Sequence, residues 1–177
     1  MKNTRWCAGA LMLIAASAQV GAQAPKPPAE VAKLAAFVGT WKYEGDAKAS
    51  PMGPAAKISV TQTGKMTMNG FFLQWTGEEK GAFGGVQWGE TDGYDAAAKG
   101  YPYFGYQNDG TLWSGVGTVN GNAWRYLSTI TVKGVTYHSR TDGVLAADGK
   151  SYTWKQDVST DGKVWALWTQ GKMTKVP

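Results

Sequence analysis

The stretch Phe37-Val38-Gly39-Thr40-Trp41 decides the fold of this chain. An apolar leader, a proline-rich spacer and one brief helical pattern lie before it, and alternating strand patterns separated by glycine-containing turns follow it. Gly39 ends the helical pattern, and Trp41 then places a large indole at the start of the first strand. We therefore expect the chain to pass here from helix to strand, with Trp41 at the base of a closing β-structure.

The first 22 residues have the pattern of a secretory signal peptide. Lys2 and Arg5 supply the charged start, and residues 7–20 form an apolar and small-residue run, shorter than the ~20 residues that a membrane span needs. Of the 177 residues, cleavage after Ala22 leaves 155 without a cysteine, which excludes disulfides and cysteine metal sites. We expect a periplasmic or secreted protein with no membrane span after cleavage.

Length and charge limit the remaining possibilities. Residues 23–28 form the spacer, and residues 29–177 have the length of one domain. Without its leader the chain keeps 16 of its 18 basic residues against 13 acidic ones, a net charge of +3. The lysines are scattered singly, which is typical of a solvated surface and gives no reason to expect nucleic-acid binding.

A short N-terminal helix is predicted before the decisive stretch. Val31, Leu34, Ala35 and Val38 fall at helical spacing on one apolar face. After Trp41 the period becomes two, and turn signals separate short runs that are rich in aromatic and β-branched residues. The last five of these runs cover residues 112–119, 124–132, 135–145, 152–158 and 164–174. The pattern predicts an all-β, antiparallel up-and-down barrel of about ten strands, which also leaves no exposed edge.

Aromatic residues are dense in these strands, since eight tryptophans remain without Trp6. They fall on one face in several strands, and they would either fill the barrel as a core or line a ligand cavity. The best-placed candidates for the walls of such a cavity are Trp75, Trp113, Tyr126 and Trp154.

No catalytic set or metal site is predicted. Glu78-Glu79 and the pair Glu90 and Asp92 supply carboxylates, but none lies in an apolar run that would shift its pKa, and we expect solvated charges. The segment 157–162 resembles half of a calcium loop, but Trp168 stands where the bidentate Glu belongs.

His138 is the only histidine, and Arg140 lies two residues further on the same strand face. Three interpretations are open. The face is the solvent side; or the two side chains bind the carboxylate of a ligand inside the barrel; or His138 ligates haem there. If the pair faces inward, the ligand is a small apolar or anionic amphipathic molecule.

The chain resembles the bacterial domain-of-unknown-function family 1579 (DUF1579), which is placed with the lipocalin-like (calycin) barrels. The matching pieces are Val38-Gly39-Thr40-Trp41, Gly45, Pro51 with Pro54, Gly93-Tyr94-Asp95, Arg140 and Asp161-Gly162-Lys163-Val164-Trp165. The resemblance implies a barrel with a small-ligand cavity and no established activity. It also implies that a basic side chain of the last strand covers Trp41, and Lys172 is the candidate. The related haem-binding nitrobindins have a glycine where this chain has Tyr43.

The sequence therefore predicts an exported, lipocalin-like small-molecule-binding protein without catalysis and without a cofactor. Its ligand-binding residues would be the four aromatic candidates with His138 and Arg140, and Gly39, Trp41 and Lys172 would be structural. The alternatives are an enzyme or haem protein that uses the same cavity through His138, and a structural envelope barrel that is simply filled. The sequence does not indicate an oligomeric state.

Overall fold

Ten antiparallel strands form a closed barrel in which each strand pairs with the next in sequence and the last pairs with the first. The computed structural model describes residues 24–80 and 85–177. The strands are β1 (Gly39–Ala47), β2 (Ala56–Thr67), β3 (Phe72–Glu79), β4 (Gln87–Asp92), β5 (Tyr101–Gln107), β6 (Leu112–Asn120), β7 (Ala123–Val132), β8 (Val135–Leu145), β9 (Ser151–Ser159) and β10 (Ala166–Lys175). The predicted up-and-down barrel is confirmed, and the five strand ranges predicted from the sequence begin and end within two residues of these bounds. The predicted leader over residues 1–22 lies outside the described residues.

A single short helix precedes the barrel, as predicted, but its buried face is different. A 3₁₀ turn (Ala29–Val31) leads into α1 (Ala32–Ala35). The buried side chains are Val31, Leu34 and Phe37, whereas the predicted core residue Val38 is 38% exposed. The reason is the tighter winding: Phe37 N–H bonds to Leu34 O at 3.0 Å, so residues three apart align on one face.

The helix closes one end of the barrel, which we call the helix end. Trp41 is fully buried there, and its Nε1 donates to the carbonyl oxygen of Phe37 at 2.8 Å. The Phe37 ring lies with its centroid 5.5 Å from that of Trp124 and 5.6 Å from that of Tyr152. Gly39 has φ +120°, a conformation that strongly favours glycine, and so permits the change from helix to strand.

A lysine of the last strand covers Trp41, but it is Lys175 and not Lys172. The Nζ of Lys175 is 4.9 Å from the centroid of the Trp41 ring and donates to Ala36 O at 3.2 Å. Trp41 and Lys175 are opposite each other in the β1–β10 register. Lys172 is exposed, because the two lysines are an odd number of positions apart and adjacent residues of a strand face opposite sides.

Across the described part of the chain, no helix has the length and apolarity that crossing a membrane would require.

Candidate functional site

The interior of the barrel contains a cavity of about 580 Å³. Leu34 and Phe37 line it at the helix end, and Met52, Asp109 and Lys133 line it at the far end, where they lie in the connections between strands. Ten aromatic side chains line it: Phe37, Tyr43, Trp75, Trp88, Tyr103, Trp113, Tyr126, Tyr152, Trp154 and Trp168. The barrel interior is therefore lined by aromatic rings and not completely filled by them.

The rings line the wall because glycines of neighbouring strands lie beneath them. Trp113 is opposite Gly105 in the β5–β6 register, and its indole occupies the space that a Cβ at Gly105 would need. Trp88 lies over Gly77 in the same way. Without a Cβ on the neighbouring strand, each indole can lie close against the sheet, which leaves the centre of the barrel open.

Four of the six predicted ligand-binding residues line this cavity. Trp75 is 6% exposed, and Trp113, Tyr126 and Trp154 are partly buried. Tyr126 stacks on Trp124, with ring centroids 5.8 Å apart and planes within 9°. The structure therefore brings these four aromatic residues together on the wall of the cavity.

His138 and Arg140 do not line the cavity, where they were expected to orient a ligand. Their neighbour Thr141 faces the cavity, so both side chains point to the outer surface of β8. Arg140 Nε bonds to Asp157 Oδ2 at 2.9 Å, and its guanidinium lies 4.5 Å from the centroid of the Trp165 ring. His138 is exposed on this outer face and cannot reach a haem inside the barrel.

The segment that resembles the family motif near the C-terminus builds a turn on this outer face. Asp161 Oδ1 accepts hydrogen bonds from Lys163 N at 2.8 Å, Val164 N at 3.0 Å and Ser159 Oγ at 3.0 Å. The backbone donors at Val164 and Lys163, followed by Ser159, hold the pKa of Asp161 below its usual value. The turn directs Trp165 outward, whereas Trp168 lines the cavity.

In addition to the exposed Asp109 at the far end, three carboxyl groups on β3 and β4 face the cavity, which is contrary to the prediction of solvated charges. Glu79 is 5% exposed and Asp92 is 3% exposed, and Glu90 is partly buried. Glu78 alone follows the prediction, with 47% of its side chain exposed. The inward direction of Glu79 follows from strand alternation, since Trp75 lies four positions earlier on β3 and shares its face.

The signal that could have found the carboxyls is the segment Trp88-Gly89-Glu90-Thr91-Asp92. Its two acids share a strand face with a tryptophan, and that tryptophan faces the cavity.

The hydrogen bonding of these carboxyls is incomplete. Glu90 Oε2 accepts a bond from Trp113 Nε1 at 2.5 Å. Both carboxyl oxygens of Glu79 and the Oδ2 of Asp92 have no hydrogen-bond partner among the residues that the structure describes. Buried polar atoms without partners are rare in folded proteins, so these three oxygens require an explanation.

Burial also changes the acidity of the two carboxyls on β4. Loss of solvation raises the pKa of Glu90 to about 7, against the opposing effect of the bond from Trp113. The pKa of Asp92 is raised well above its usual value by burial and then by the nearby charge of Glu90, although a hydrogen bond from Trp75 opposes this. Near neutral pH the pair therefore holds a proton that surface carboxyls would have lost.

Acidic side chains outnumber basic ones in the lining of the cavity. Among the described residues that line it, the only basic side chain is Lys133, which is exposed at the far end. The predicted anion-binding pair is absent from the lining, so the geometry gives no basis for an anionic ligand. Within residues 24–80 and 85–177, no group of three or more His, Cys, Asp or Glu side chains is placed to hold a metal ion.

Comparison with known proteins agrees with the fold. The family model described as "Protein of unknown function (DUF1579)" matches residues 26–161. The crystal structure of Rv2717c from M. tuberculosis is similar, with 13% sequence identity and a TM-score of 0.61 over 86% of this chain and 100% of that chain. A de novo designed fluorescence-activating β-barrel is 12% identical, with a TM-score of 0.44 over 80% of this chain and 95% of that one. The comparison with curated proteins found no match.

Proposed function

The chain belongs to the DUF1579 family of proteins of unknown function, and we propose that it is a non-catalytic carrier that holds a small, largely apolar molecule inside its barrel. The observation that carries this proposal is the cavity of about 580 Å³, which is lined by ten aromatic side chains. Ligand sites are typically ~300–1,000 Å³ in volume and mostly apolar, with a few convergent polar groups. Glu90 and Asp92 are the polar groups of this kind in the cavity.

The cavity argues against the two alternatives from the sequence. A filled structural barrel would not leave this volume at its centre, and an enzyme or haem protein acting through His138 would need that side chain on the inner face. Stacking on rings and burial of apolar surface are therefore the interactions that we expect to hold the ligand.

Binding should be visible through the tryptophans of the wall. We expect a small aromatic alcohol such as phenylbutanol to quench or shift the tryptophan emission in a saturable way, because Trp88, Trp113 and Trp154 line the cavity. The measurement is a fluorescence titration supported by calorimetry. The variant Gly105→Leu should block binding, since its side chain takes the space of the Trp113 indole and pushes that ring into the cavity. The absence of saturable binding by any apolar probe would contradict the carrier function.

We also propose that the carrier acts outside the cytoplasm, in the periplasm or as a secreted protein. The support is the charged start at Lys2 and Arg5, followed by the apolar run and the small residues before Gln23. N-terminal sequencing of protein from the periplasm or medium should begin at or near Gln23. Full-length protein recovered from the cytosol, with none exported, would contradict this part of the proposal.

A further inference from the structure

We infer that the ligand of this cavity is a protonated organic amine, whose ammonium group binds the carboxyls of Glu90 and Asp92 while its apolar body lies against the aromatic walls. This inference rests on the proposed carrier function and adds the chemical class of the ligand. It depends on three features of the described residues: an unpartnered buried oxygen, the sign of the charge inside the barrel, and indoles beside the acids.

The unpartnered oxygen of Asp92 needs a hydrogen-bond donor. Asp92 is 3% exposed and lines the cavity, and its Oδ2 has no partner among the described residues. An ammonium group has three N–H donors and no acceptor, so it can satisfy carboxylate oxygens without introducing a new unsatisfied acceptor. A purely apolar ligand would leave the Oδ2 of Asp92 without a partner.

The charge inside the barrel favours a cation. The carboxyls of Glu79, Glu90 and Asp92 face the cavity, and the only basic side chain of the described lining is Lys133 at its far end. A ligand carboxylate would meet like charges in a site where solvent screens them poorly. An organic cation carries the charge that fits this lining, and Glu90 and Asp92, two residues apart on one face of β4, are the acids placed to share it.

Tryptophans stand beside the acids. Trp75 is opposite Glu90 in the β3–β4 register, and Trp113 bonds directly to Glu90. The face of an indole attracts an ammonium group through its quadrupole, and this attraction is larger where water is excluded. The carboxyl of Glu90 therefore lies beside two indoles. Asp92 lies two residues further along β4, closer to the helix end.

The test compares three probes with one skeleton: phenylbutylamine, phenylbutanol and phenylbutyrate. At pH 8 we expect the amine to bind the full mature protein roughly tenfold or more tightly than the alcohol, the usual size of a hydrogen bond to a charged group. The acid should bind more weakly than the alcohol. Equal binding of amine and alcohol would overturn the inference and leave the carrier function standing, whereas no binding of any probe would refute both.

Matched variants locate the ammonium group. Glu90→Gln and Asp92→Asn should each lower the affinity for phenylbutylamine several-fold and leave that for phenylbutanol nearly unchanged. Glu78→Gln, at an exposed position on β3, is the control and should leave both affinities unchanged. If a cavity variant does not fold, the ranking of the three probes on the unmodified protein still decides the question.

Proton release gives an independent readout. The titratable groups that interact with Glu90 are Asp92 on its own strand, Tyr103 on β5 and Tyr126 on β7. An ammonium group should stabilise the charged form of Glu90, so binding near pH 6.5 should release protons. Calorimetry in two buffers of different ionisation enthalpy should detect this release for phenylbutylamine and not for phenylbutanol, and amine affinity should rise between pH 5.5 and 8. Amine binding without proton release and without pH dependence would overturn the role of the carboxyl pair.

Discussion

Replacing Trp41 by alanine is expected to lower the free energy of unfolding by about 3–5 kcal/mol, the usual cost of removing a buried tryptophan. The side chain is fully buried, and the substitution also removes the donor to Phe37 O and the ring beneath Lys175. Equilibrium unfolding in urea, followed by circular dichroism, measures the change. An unchanged unfolding midpoint would contradict the assignment of Trp41 to the base of the barrel.

Two lysines of β10 provide the control for this prediction. Lys175→Ala should cost about 1 kcal/mol, because it removes a cation from the Trp41 ring. Lys172→Ala should change the stability by less than about 0.5 kcal/mol, as is usual for an exposed position. If Trp41→Ala does not fold at all, Trp41→Phe keeps most of the ring and loses the hydrogen bond, and a measurable decrease is still expected. Equal effects of the two lysine variants would contradict the contact with Lys175.

Replacing Glu90 by glutamine is expected to stabilise the protein at pH 8 and to have little effect at pH 5. The pKa of Glu90 in the folded protein is about 7, above the ordinary 4.5, so the folded state binds this proton more tightly than the unfolded state does. The stabilisation by the proton is present in full below about pH 4.5 and is lost as the pH rises through about 7. At about 1.4 kcal/mol per pKa unit, the difference is on the order of 3 kcal/mol.

Thermal unfolding between pH 5 and 8 tests whether stability falls as Glu90 loses its proton. The melting temperature of the unmodified protein should fall over this range, and that of Glu90→Gln should fall less, because glutamine can still accept the bond from Trp113 without titrating. Glu44→Gln, at an exposed position on β1, should follow the unmodified protein. Parallel melting curves for Glu90→Gln and the unmodified protein would show that Glu90 does not titrate in this range.

The sequence predicted the strands well because each one carries its own signals. Alternation of side chains, aromatic and β-branched content and glycine at the turns are all local, and they located β6 to β10 within two residues. The Gly39–Trp41 transition was also visible locally. What these signals leave open is which of the two strand faces points inward when both carry polar residues.

That ambiguity accounts for the errors at the site. On β8 the face with His138 and Arg140 and the face with Ser139 and Thr141 are both polar, and only closure of the barrel decides between them. On β10, Lys172 and Lys175 face opposite sides, and only the pairing of β1 with β10 places Lys175 opposite Trp41. The inward carboxyls were missed because their neighbours in space, such as Trp113 for Glu90, come from strands distant in sequence.

Because the indoles lie over glycines, the width of the cavity depends on residues that lie behind the rings and do not line the cavity themselves. A methyl group at Gly105 or Gly77 would force the overlying indole off the strand and toward the centre, since no space remains beneath it. Relatives that differ at these two positions should therefore bind ligands of different width, even where the residues that line the cavity are identical. In the carrier that we propose, mutation would alter size selectivity and charge selectivity separately, because the glycines would govern the first and the acids of β4 the second.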